Sequence, residues 1–170
     1  MYFCESFDNQ LYIMKNILIT GGAGFIGSNL ALKLNAKGYN VTVLDNLSEQ
    51  IHGKDPINTS PLYNSIRNKV TFIKGDVTNI EDWKKAILNQ DIIVHFAAET
   101  GTGQSMYEII KYTQVNVQGT ANMLDFLVNS PNKVKKVVIA SSRSIYGEGK
   151  YISKELGYVY PKHRIEEDMD

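Results

Sequence analysis

The sequence has only one cysteine, Cys4, and its 18 basic residues are matched by 18 acidic ones. A single thiol excludes an intramolecular disulfide framework and indicates a reducing compartment such as the cytoplasm. The zero net charge gives no overall field that would attract nucleic acid or an anionic membrane surface, so neither is expected as a partner. The acidic run at 166–168 is interpreted as a solvated tail.

Long hydrophobic runs are also lacking, and no segment reaches the roughly 20 apolar residues that a membrane-spanning helix needs. Residues 1–13 lack the basic region and apolar stretch of a signal peptide, and we interpret them as an N-terminal extension. The three histidines, His52, His95 and His163, do not have the spacing of metal ligands, so no metal site is predicted. His95 is expected to be a packed, hydrogen-bonded residue.

What the sequence does contain is a regular alternation of apolar and amphipathic segments. Strands are predicted at 15–20, 41–44, 70–74, 92–96 and 137–140. Helices are predicted from the apolar series Ile26, Leu30, Leu34 and Ile80, Trp83, Ile87, and over 105–129. This order predicts an α/β fold, an open parallel sheet of about five strands in the order 3-2-1-4-5 with helices on both faces.

The alternation is interrupted in two places. Residues 46–68 are rich in Asn, Ser, Pro and Gly and predict a long loop with at most a short helix. After Gly147 no sixth strand is predicted, and Pro161 would break a helix. We therefore expect a sheet that is incomplete at its C-terminal side, with an α/β domain at 14–150 and an incomplete segment at 151–170.

The most informative motif is TGGAGFIG, which follows the first predicted strand and opens the first predicted helix. Gly21 allows a tight turn, Gly24 lets the backbone approach a pyrophosphate, and Gly27 permits close packing of helix on strand. The N-terminus of the helix presents free N–H groups and a partial positive charge to the phosphates. The motif predicts a dinucleotide site, although three glycines can also form an ordinary turn.

The residue that identifies the dinucleotide is Asp45, at the end of the second predicted strand. A carboxylate at this place accepts hydrogen bonds from the ribose hydroxyls and repels a 2′-phosphate, which favours NAD over NADP. Asp76 follows the third strand, where it would either bind the adenine amino group or cap the next helix. Small residues after the fourth strand, in Phe96-Ala97-Ala98, would let a flat cofactor lie close to the backbone, or would equally serve packing.

Together the stretches TGGAGFIGSNL, LDNL, KGDV, HFAAE, NVQGT and SSRSIYGEG resemble the extended short-chain dehydrogenase/reductase family, in particular its NAD-dependent epimerase/dehydratases of nucleotide sugars. The runs HFAAETGTGQSMYEI and SSRSIYGEGKY are most similar to the dTDP-L-rhamnose 4-epimerase branch. The resemblance covers residues from 14 to about 151. It implies a Rossmann-type fold, bound NAD, a nucleotide-sugar substrate and a homodimer in the intact parent.

The resemblance also implies roles for individual residues. Phe25 and Ile26 would offer backbone amides to the pyrophosphate, Asn46 would join Asp45 at the ribose, and Val77 would stand beside Asp76 at the adenine. Asn116 would contact the cofactor or order its pocket, or else be a polar helix residue. The residues that would face the substrate are Thr100, Gly103, Gln104, Ser105 and Arg143, and Ser142 would bind the sugar hydroxyl that is oxidised.

At two places the sequence differs from relatives in the family, and these differences bear on the substrate and on the reaction. Thr100 stands where galactose epimerases often have a lysine, which leaves the sugar open. Arg143 and Ser144 stand where 4,6-dehydratases have Asp and Glu, which argues against dehydration because elimination needs those acid–base groups.

The reaction implied by the family also needs a tyrosine base, whose usual pKa near 10 must be lowered by a lysine four residues later. Tyr107 with Lys111 lies too far upstream of Ser142, and Tyr158 with Lys162 is interrupted by Pro161. We therefore expect the catalytic helix to lie outside this sequence. Three hypotheses remain: the NAD-binding part of a nucleotide-sugar 4-epimerase, inactive alone; a non-catalytic NAD-binding or interaction module; and a sugar-nucleotide dehydrogenase or reductase.

Overall fold

The computed structural model describes residues 15–146 and 149–161. The chain divides between Ala140 and Ser141 into two compact units, each with its own internal contacts. The predicted extension at 1–13, Cys4 and the acidic run at 166–168 lie outside the described residues, as do Lys162 and His163.

The first unit is built on a five-stranded parallel sheet. Its strands are β1 Asn16–Thr20, β2 Asn40–Asp45, β3 Thr71–Lys74, β4 Ile92–His95 and β5 Lys136–Ile139. They are arranged in the order β3-β2-β1-β4-β5, and every neighbouring pair is parallel. The predicted fold class, strand order and strand positions are confirmed.

Helices and short helical turns connect the strands. They are α1 Phe25–Ala36, α2 Glu49–His52, α3 Pro56–Thr59, α4 Pro61–Ile66, α5 Ile80–Ile87, α6 Thr102–Ser105, α7 Ile109–Tyr112, a π-helical segment Thr113–Gln118, and α8 Gly119–Asn129. None of the helices in the described ranges is long and apolar enough to cross a membrane.

The alternating side chains of β1 divide the core into two clusters, one on each face of the sheet. Ile17 and Ile19 lie with residues of α1 and α4, whereas Leu18 lies with residues of α5 and α8. Because both faces are covered, the inner strands β1, β2 and β4 are buried along nearly their whole length, as expected for the centre of a parallel sheet. Helices on both faces are thereby confirmed.

The prediction for α1 was right in position but wrong for Ile26, which is 67% exposed. The buried face of this helix consists of Gly27, Ser28 and Ala31, with Leu30 and Leu34 partly buried beside them. Small residues face inward because the helix packs directly against the glycine turn, and this leaves Ile26 on the outside.

The prediction of a long loop at 46–68 was wrong, since α2, α3 and α4 occupy most of that segment. Two of these turns begin at prolines, which suit the first position of a helix. The helical region predicted for 105–129 is interrupted between α6 and α7 and contains the π-helical segment.

The second unit contains a one-turn 3-10 helix, Arg143–Tyr146, and a two-stranded antiparallel hairpin. The hairpin strands are β6 Tyr151–Ser153 and β7 Gly157–Val159. The sequence predicted no strand in this part of the chain. The hairpin was missed because three-residue strands are too short to show an alternating pattern.

Candidate functional site

The glycine turn connects the end of β1 to the start of α1. Gly21 has a positive φ of 65°, and a side chain there would collide with the backbone of Ala97 at 2.7 Å. A side chain at Gly27 would collide with the backbone of Gly21 and Gly22. The tight turn and the close helix packing predicted for these two glycines are therefore present.

Gly24 differs from the other two glycines because a side chain there would meet only the carbonyl oxygen of Gly21, at 3.3 Å. The space beside Gly24 is otherwise open, and the residue directly precedes α1. Phe25 and Ile26 begin the helix, where N–H groups have no intrahelical acceptor. The turn thus presents backbone donors and the positive end of a 12-residue helix to an open space.

Asp45, at the end of β2, holds the glycine turn in place. Its Oδ2 accepts a hydrogen bond of 2.9 Å from the N–H of Ala23, and its Oδ1 accepts one of 2.9 Å from the N–H of Leu47. The residue is only 8% exposed. Sequence reasoning assigned Asp45 to the ribose alone and missed its bond to the turn, which no spacing rule would reveal.

A second neighbour of Asp45 was also missed. Nε2 of His52, in α2, lies 3.8 Å from Oδ1 of Asp45, and the His52 side chain is buried. His52 was considered only as a metal ligand, because the predicted loop gave no reason to place it near Asp45. No group of three or more His, Cys, Asp and Glu residues suited to a metal ion exists among the described residues.

Asn46 and Asp76, predicted separately at the adenosine end, are brought together by the sheet. Nδ2 of Asn46 donates to Oδ2 of Asp76 at 3.0 Å, and Oδ1 of Asp76 accepts from the N–H and the hydroxyl of Thr78. Burial raises the pKa of the Asp76 carboxyl, but the hydrogen bonds from Asn46 and Thr78 outweigh it and hold the pKa below its usual value.

The alternative that Asp76 caps the next helix was wrong. The N-cap of α5 is Asn79, whose side chain accepts a hydrogen bond from the N–H of Glu81. Val77 points away from Asp76 into the core, where it is 5% exposed, and its carbonyl accepts from the Trp83 indole at 2.7 Å. Only Asp76 of this pair therefore has a side chain near the surface.

The small residues after β4 adjoin the glycine turn. The N–H of Phe96 donates to the carbonyl of Thr20, and the N–H of Ala97 donates to the Thr20 hydroxyl at 3.2 Å. Ala98 follows them and is exposed. The ends of β1 and β4 are thus joined side by side, as expected for the carboxyl edge where a parallel sheet binds ligands.

His95 lies behind this edge and is 4% exposed. Its Nδ1 is 2.7 Å from the hydroxyl of Thr20, its Nε2 is 3.1 Å from the hydroxyl of Thr120, and its ring lies against Trp83. Burial lowers the pKa of the imidazole to about 4, so it is neutral at physiological pH. The expectation of a packed, hydrogen-bonded histidine is confirmed.

Asn116, in the π-helical segment, fixes the chain that leaves β4. Its Oδ1 accepts from the N–H of Glu99 at 2.8 Å, and its Nδ2 donates to the Glu99 carbonyl at 3.0 Å. The Glu99 carboxylate pairs with Lys111 at 3.3 Å. Hydrogen bonds with Glu108, and then with Glu99, raise the pKa of the Lys111 ammonium. Asn116 thus ties the segment after β4 to the π-helical segment.

Four of the five residues predicted to face a substrate, Thr100, Gly103, Gln104 and Ser105, lie in or beside α6. Thr100, Gly103 and Gln104 are exposed. Oε1 of Gln104 accepts from Gln50 of α2 at 2.9 Å, and the Ser105 hydroxyl donates to the Thr102 carbonyl. The segments that follow β2 and β4 therefore meet through one exposed side-chain hydrogen bond.

Ser142, predicted to bind the sugar hydroxyl that is oxidised, and Arg143, predicted to face the substrate, belong to the second unit. Ser142 is exposed, and its carbonyl accepts from the N–H of Ile145 at 3.4 Å. Arg143 begins the 3-10 helix, and its side chain lies outside the described part of the structure.

The structure does not align either predicted tyrosine–lysine pair on one helix. Tyr107 lies in the turn before α7 and is 85% exposed, whereas Lys111 lies within α7, so the two residues do not share a helix. Tyr158 lies in strand β7, and Lys162 lies outside the described residues.

A further pair with the same spacing, Tyr146 and Lys150, was overlooked in the sequence. Tyr146 ends the 3-10 helix, and Gly149 between them has a positive φ of 88°. The Lys150 ammonium lies 3.6 Å from the centre of the Tyr158 ring. Within the described residues, therefore, this pair does not share a helix either.

The sequence of this chain matches a family model and several characterised enzymes. Residues 17–163 match the model of the NAD dependent epimerase/dehydratase family. A dTDP-L-rhamnose 4-epimerase of Burkholderia thailandensis is 38% identical over 152 residues, which cover 88% of this chain and 40% of that protein. A UDP-glucose 4-epimerase of Drosophila melanogaster is 34% identical over 140 residues, covering 80% of this chain and 39% of that protein.

Solved structures show the same relationship. A UDP-glucose 4-epimerase from Bifidobacterium longum, in complex with NAD+ and UDP, matches with a TM-score of 0.63 and 30% identity over 78% of this chain and 38% of that one. A UDP-glucose 4-epimerase from Brucella ovis, in complex with NAD, matches with a TM-score of 0.60 and 33% identity, covering 78% and 37%. The chain spans about two fifths of the length of these relatives.

Proposed function

The chain belongs to the NAD dependent epimerase/dehydratase family, and on that premise we propose that it is the NAD-binding part of a nucleotide-sugar 4-epimerase. The observation that carries this proposal is the glycine turn held by Asp45. A buried carboxylate, the start of a 12-residue helix, the close-packed glycines Gly21 and Gly27 and the open space at Gly24 occupy one edge of the sheet. This combination suits a dinucleotide with free ribose hydroxyls.

The residues present fit NAD in shape and charge. The open space at Gly24 admits a pyrophosphate close to the backbone, and the α1 N-terminus offers it N–H donors. Asp45 uses one hydrogen bond on each oxygen, and each carboxylate oxygen can accept a second. The ribose hydroxyls would fill these positions, and a 2′-phosphate would be repelled.

The proposed roles follow the edge of the sheet from the phosphates outward. Phe25 and Ile26 donate backbone amides to the pyrophosphate, and Asp76, held by Asn46, accepts from the adenine amino group. The residues proposed to bind or order the cofactor are Gly21, Gly24, Phe25, Ile26, Gly27, Asp45, Asn46, Asp76, Val77, Phe96, Ala97, Ala98 and Asn116. Of these, Val77 and Asn116 act by ordering the pocket, since their polar contacts are made within the protein.

For the substrate we propose dTDP-L-rhamnose or a related sugar nucleotide, because the B. thailandensis relative bears that name and is 38% identical. Thr100, Gly103, Gln104, Ser105 and Arg143 are the residues proposed to face it. Bound NAD would supply a reversible hydride acceptor, and Ser142 would hydrogen-bond the sugar hydroxyl that is oxidised. The parent enzyme is proposed to be a homodimer, and the single cysteine favours the cytoplasm.

The test is titration of the chain with NAD by calorimetry, followed by incubation with dTDP-L-rhamnose and NAD under NMR observation. We expect one NAD bound per chain and little or no 4-epimer formed. Rapid epimerisation by this chain alone would contradict the expectation that the tyrosine–lysine pair lies outside it. Absence of NAD binding would contradict the proposal as a whole.

A second candidate, a non-catalytic NAD-binding module, is favoured by the placement of the tyrosines. None of the described tyrosine–lysine pairs lies on one helix, so cofactor binding without turnover is the behaviour expected of these residues. The nucleotide sequence after the codon for Asp170 distinguishes the two candidates. A Tyr-x-x-x-Lys helix encoded there would favour the epimerase.

A further inference from the structure

The buried polar cluster of Asp45, His52 and Ser60 contains two residues that have no role so far. His52 and Ser60 are 3% and 2% exposed, although both belong to a segment that forms three one-turn or two-turn helices on the surface of the sheet. Burying an imidazole and a hydroxyl costs free energy unless both are hydrogen-bonded. The hydrogen-bond partners of His52 and Ser60 therefore indicate why the segment 49–66 buries these two side chains.

The segment is anchored at its far end by α4. Ile66, the last residue of α4, is fully buried in the core cluster that also contains Ala31 of α1. At the start of α4, the Ser60 hydroxyl oxygen accepts a hydrogen bond of 3.2 Å from the N–H of Tyr63 and so caps the helix. This contact fixes Ser60 relative to the sheet.

His52 is held in place by one contact with Thr59 and one with Ser60. The Thr59 hydroxyl donates to the His52 carbonyl at 2.6 Å, and Nδ1 of His52 lies 2.8 Å from the Ser60 hydroxyl. The Ser60 hydroxyl can donate its proton to Nδ1 while its oxygen accepts from Tyr63, and we assign the tautomer on this basis. In that tautomer the imidazole proton is on Nε2, the atom that faces Oδ1 of Asp45 at 3.8 Å.

We propose that His52 is a positioning residue that orients the Asp45 carboxylate toward the ribose hydroxyls of the cofactor. The inference rests on the proposed NAD site. The terminal torsion of an aspartate is broad, so a carboxylate with one bond per oxygen can still turn. The Nε2–H lies beside Oδ1 and adds a restraint on that rotation to the hydrogen bond that Ala23 donates to Oδ2. Residues 49–66 thus form a support for the ribose site.

Two substitutions at His52 separate positioning from general packing. The amide nitrogen of glutamine can take the place of Nε2, so His52→Gln keeps a donor facing Asp45. The shorter asparagine reaches only the position of Nδ1, so His52→Asn keeps the Ser60 contact and removes the donor. The two variants are both neutral and polar, and they differ mainly in which of the two contacts survives.

The probes are ADP and 2′-deoxy-ADP, which differ only in the hydroxyl that Asp45 is proposed to bind. For the unaltered chain we expect ADP to bind about tenfold more tightly, since a hydrogen bond to a charged acceptor contributes that much. The expected ratio falls to about twofold in His52→Asn and stays within twofold of its original value in His52→Gln. Urea denaturation of each variant shows that it is folded.

An equal loss of affinity for both ligands in His52→Asn would show a purely structural effect and overturn the inference. An unchanged ratio in His52→Asn would overturn it as well. If that variant does not fold, Ser60→Ala, which removes the Nδ1 partner and frees the ring, must lower the ratio, and an unchanged ratio there is equally decisive. Failure of the unaltered chain to bind both ADP and NAD would instead overturn the proposed function, and this inference with it.

Discussion

The edge of the sheet around the glycine turn and the segments predicted to bind the sugar differ in how firmly the chain holds them. Thr20, Ala23 and Asp45 are buried. The N–H of Ala23 donates to the Asp45 carboxylate, and the Thr20 hydroxyl accepts from the N–H of Ala97. Gly103 and Gln104 are exposed, and Gln104 is linked to the segment after β2 by a single exposed contact. A rigid, preformed site lowers the entropy lost when a ligand binds. The cofactor edge, formed by Thr20, Ala23 and Asp45, is therefore preformed. The segment of Gly103 and Gln104, which we call the substrate edge, is held less firmly.

The largest expected difference between the two edges comes from adding one methyl group to a glycine. In Gly27→Ala the new Cβ collides with the backbone of Gly21 and Gly22, which cannot move aside like a side chain. We expect a loss of about 3 kcal/mol in the free energy of unfolding and loss of NAD binding. Gly103→Ala is the matched control, because nothing lies within 4 Å of its new Cβ. Urea denaturation and calorimetry measure both, and equal effects would erase the contrast between the edges.

The next effect concerns the charge at the cofactor edge. Asp45→Ala removes the acceptors of two ribose hydroxyls and of the Ala23 N–H, so the affinity for NAD should fall about 100-fold. Asp125→Ala is the control, because Asp125 is exposed on α8 and bonds only Asn129 among the contacts described for it. Calorimetric titration gives both affinities. If Asp45→Ala bound NAD as tightly as the original chain, the ribose assignment would be wrong.

His95, behind the cofactor edge, predicts a pH dependence of stability. Its pKa is about 4 in the folded chain and 6.5 in the unfolded one, so the unfolded state binds more protons between these values. Stability is complete above pH 6.5 and falls as the pH drops toward 4, by about 2 kcal/mol between pH 7 and pH 5. In His95→Gln this contribution should vanish. Urea denaturation at pH 7 and pH 5 measures the free energy of unfolding of the original chain and of His95→Gln. An equal change in that free energy in both proteins would refute the prediction.

The smallest expected effect comes from the second unit. Ser142 is proposed to contact the sugar and not the cofactor, so Ser142→Ala should leave the affinity for NAD within about twofold of the original. Calorimetry under the conditions used for Asp45→Ala makes the comparison direct. A loss as large as that of Asp45→Ala would mean that Ser142 belongs to the cofactor edge.

The parts of the fold that follow a long repeating pattern were predictable from sequence, and the shorter ones were not. The five strands and α5 were found because apolar residues recur over a whole strand or two helical turns. The turns α2 and α3 have four residues each, too few for any period, and they are stabilised by contacts such as that of Thr59 with His52. The π-helical segment and the hairpin were missed for the same reason.

The candidate site shows the same division. Gly21 and Gly27 were predictable because a tight turn and a close approach of helix to strand each require glycine at a fixed place in the motif. The ribose role of Asp45 stays a prediction, based on its position at the end of β2. The contact of Asp45 with His52 joins β2 to a segment whose path depends on Ile66 and the core. No local pattern encodes such a contact, so only the folded chain reveals it.

The account depends most on the claim that the edge beside Asp45 binds NAD. Calorimetric titration of the chain with NAD and, separately, with NADP measures this directly. We predict one NAD bound per chain and an affinity for NADP about 100-fold lower, because the 2′-phosphate meets the Asp45 carboxylate. No detectable binding of NAD, or equal affinities for the two dinucleotides, would contradict the account.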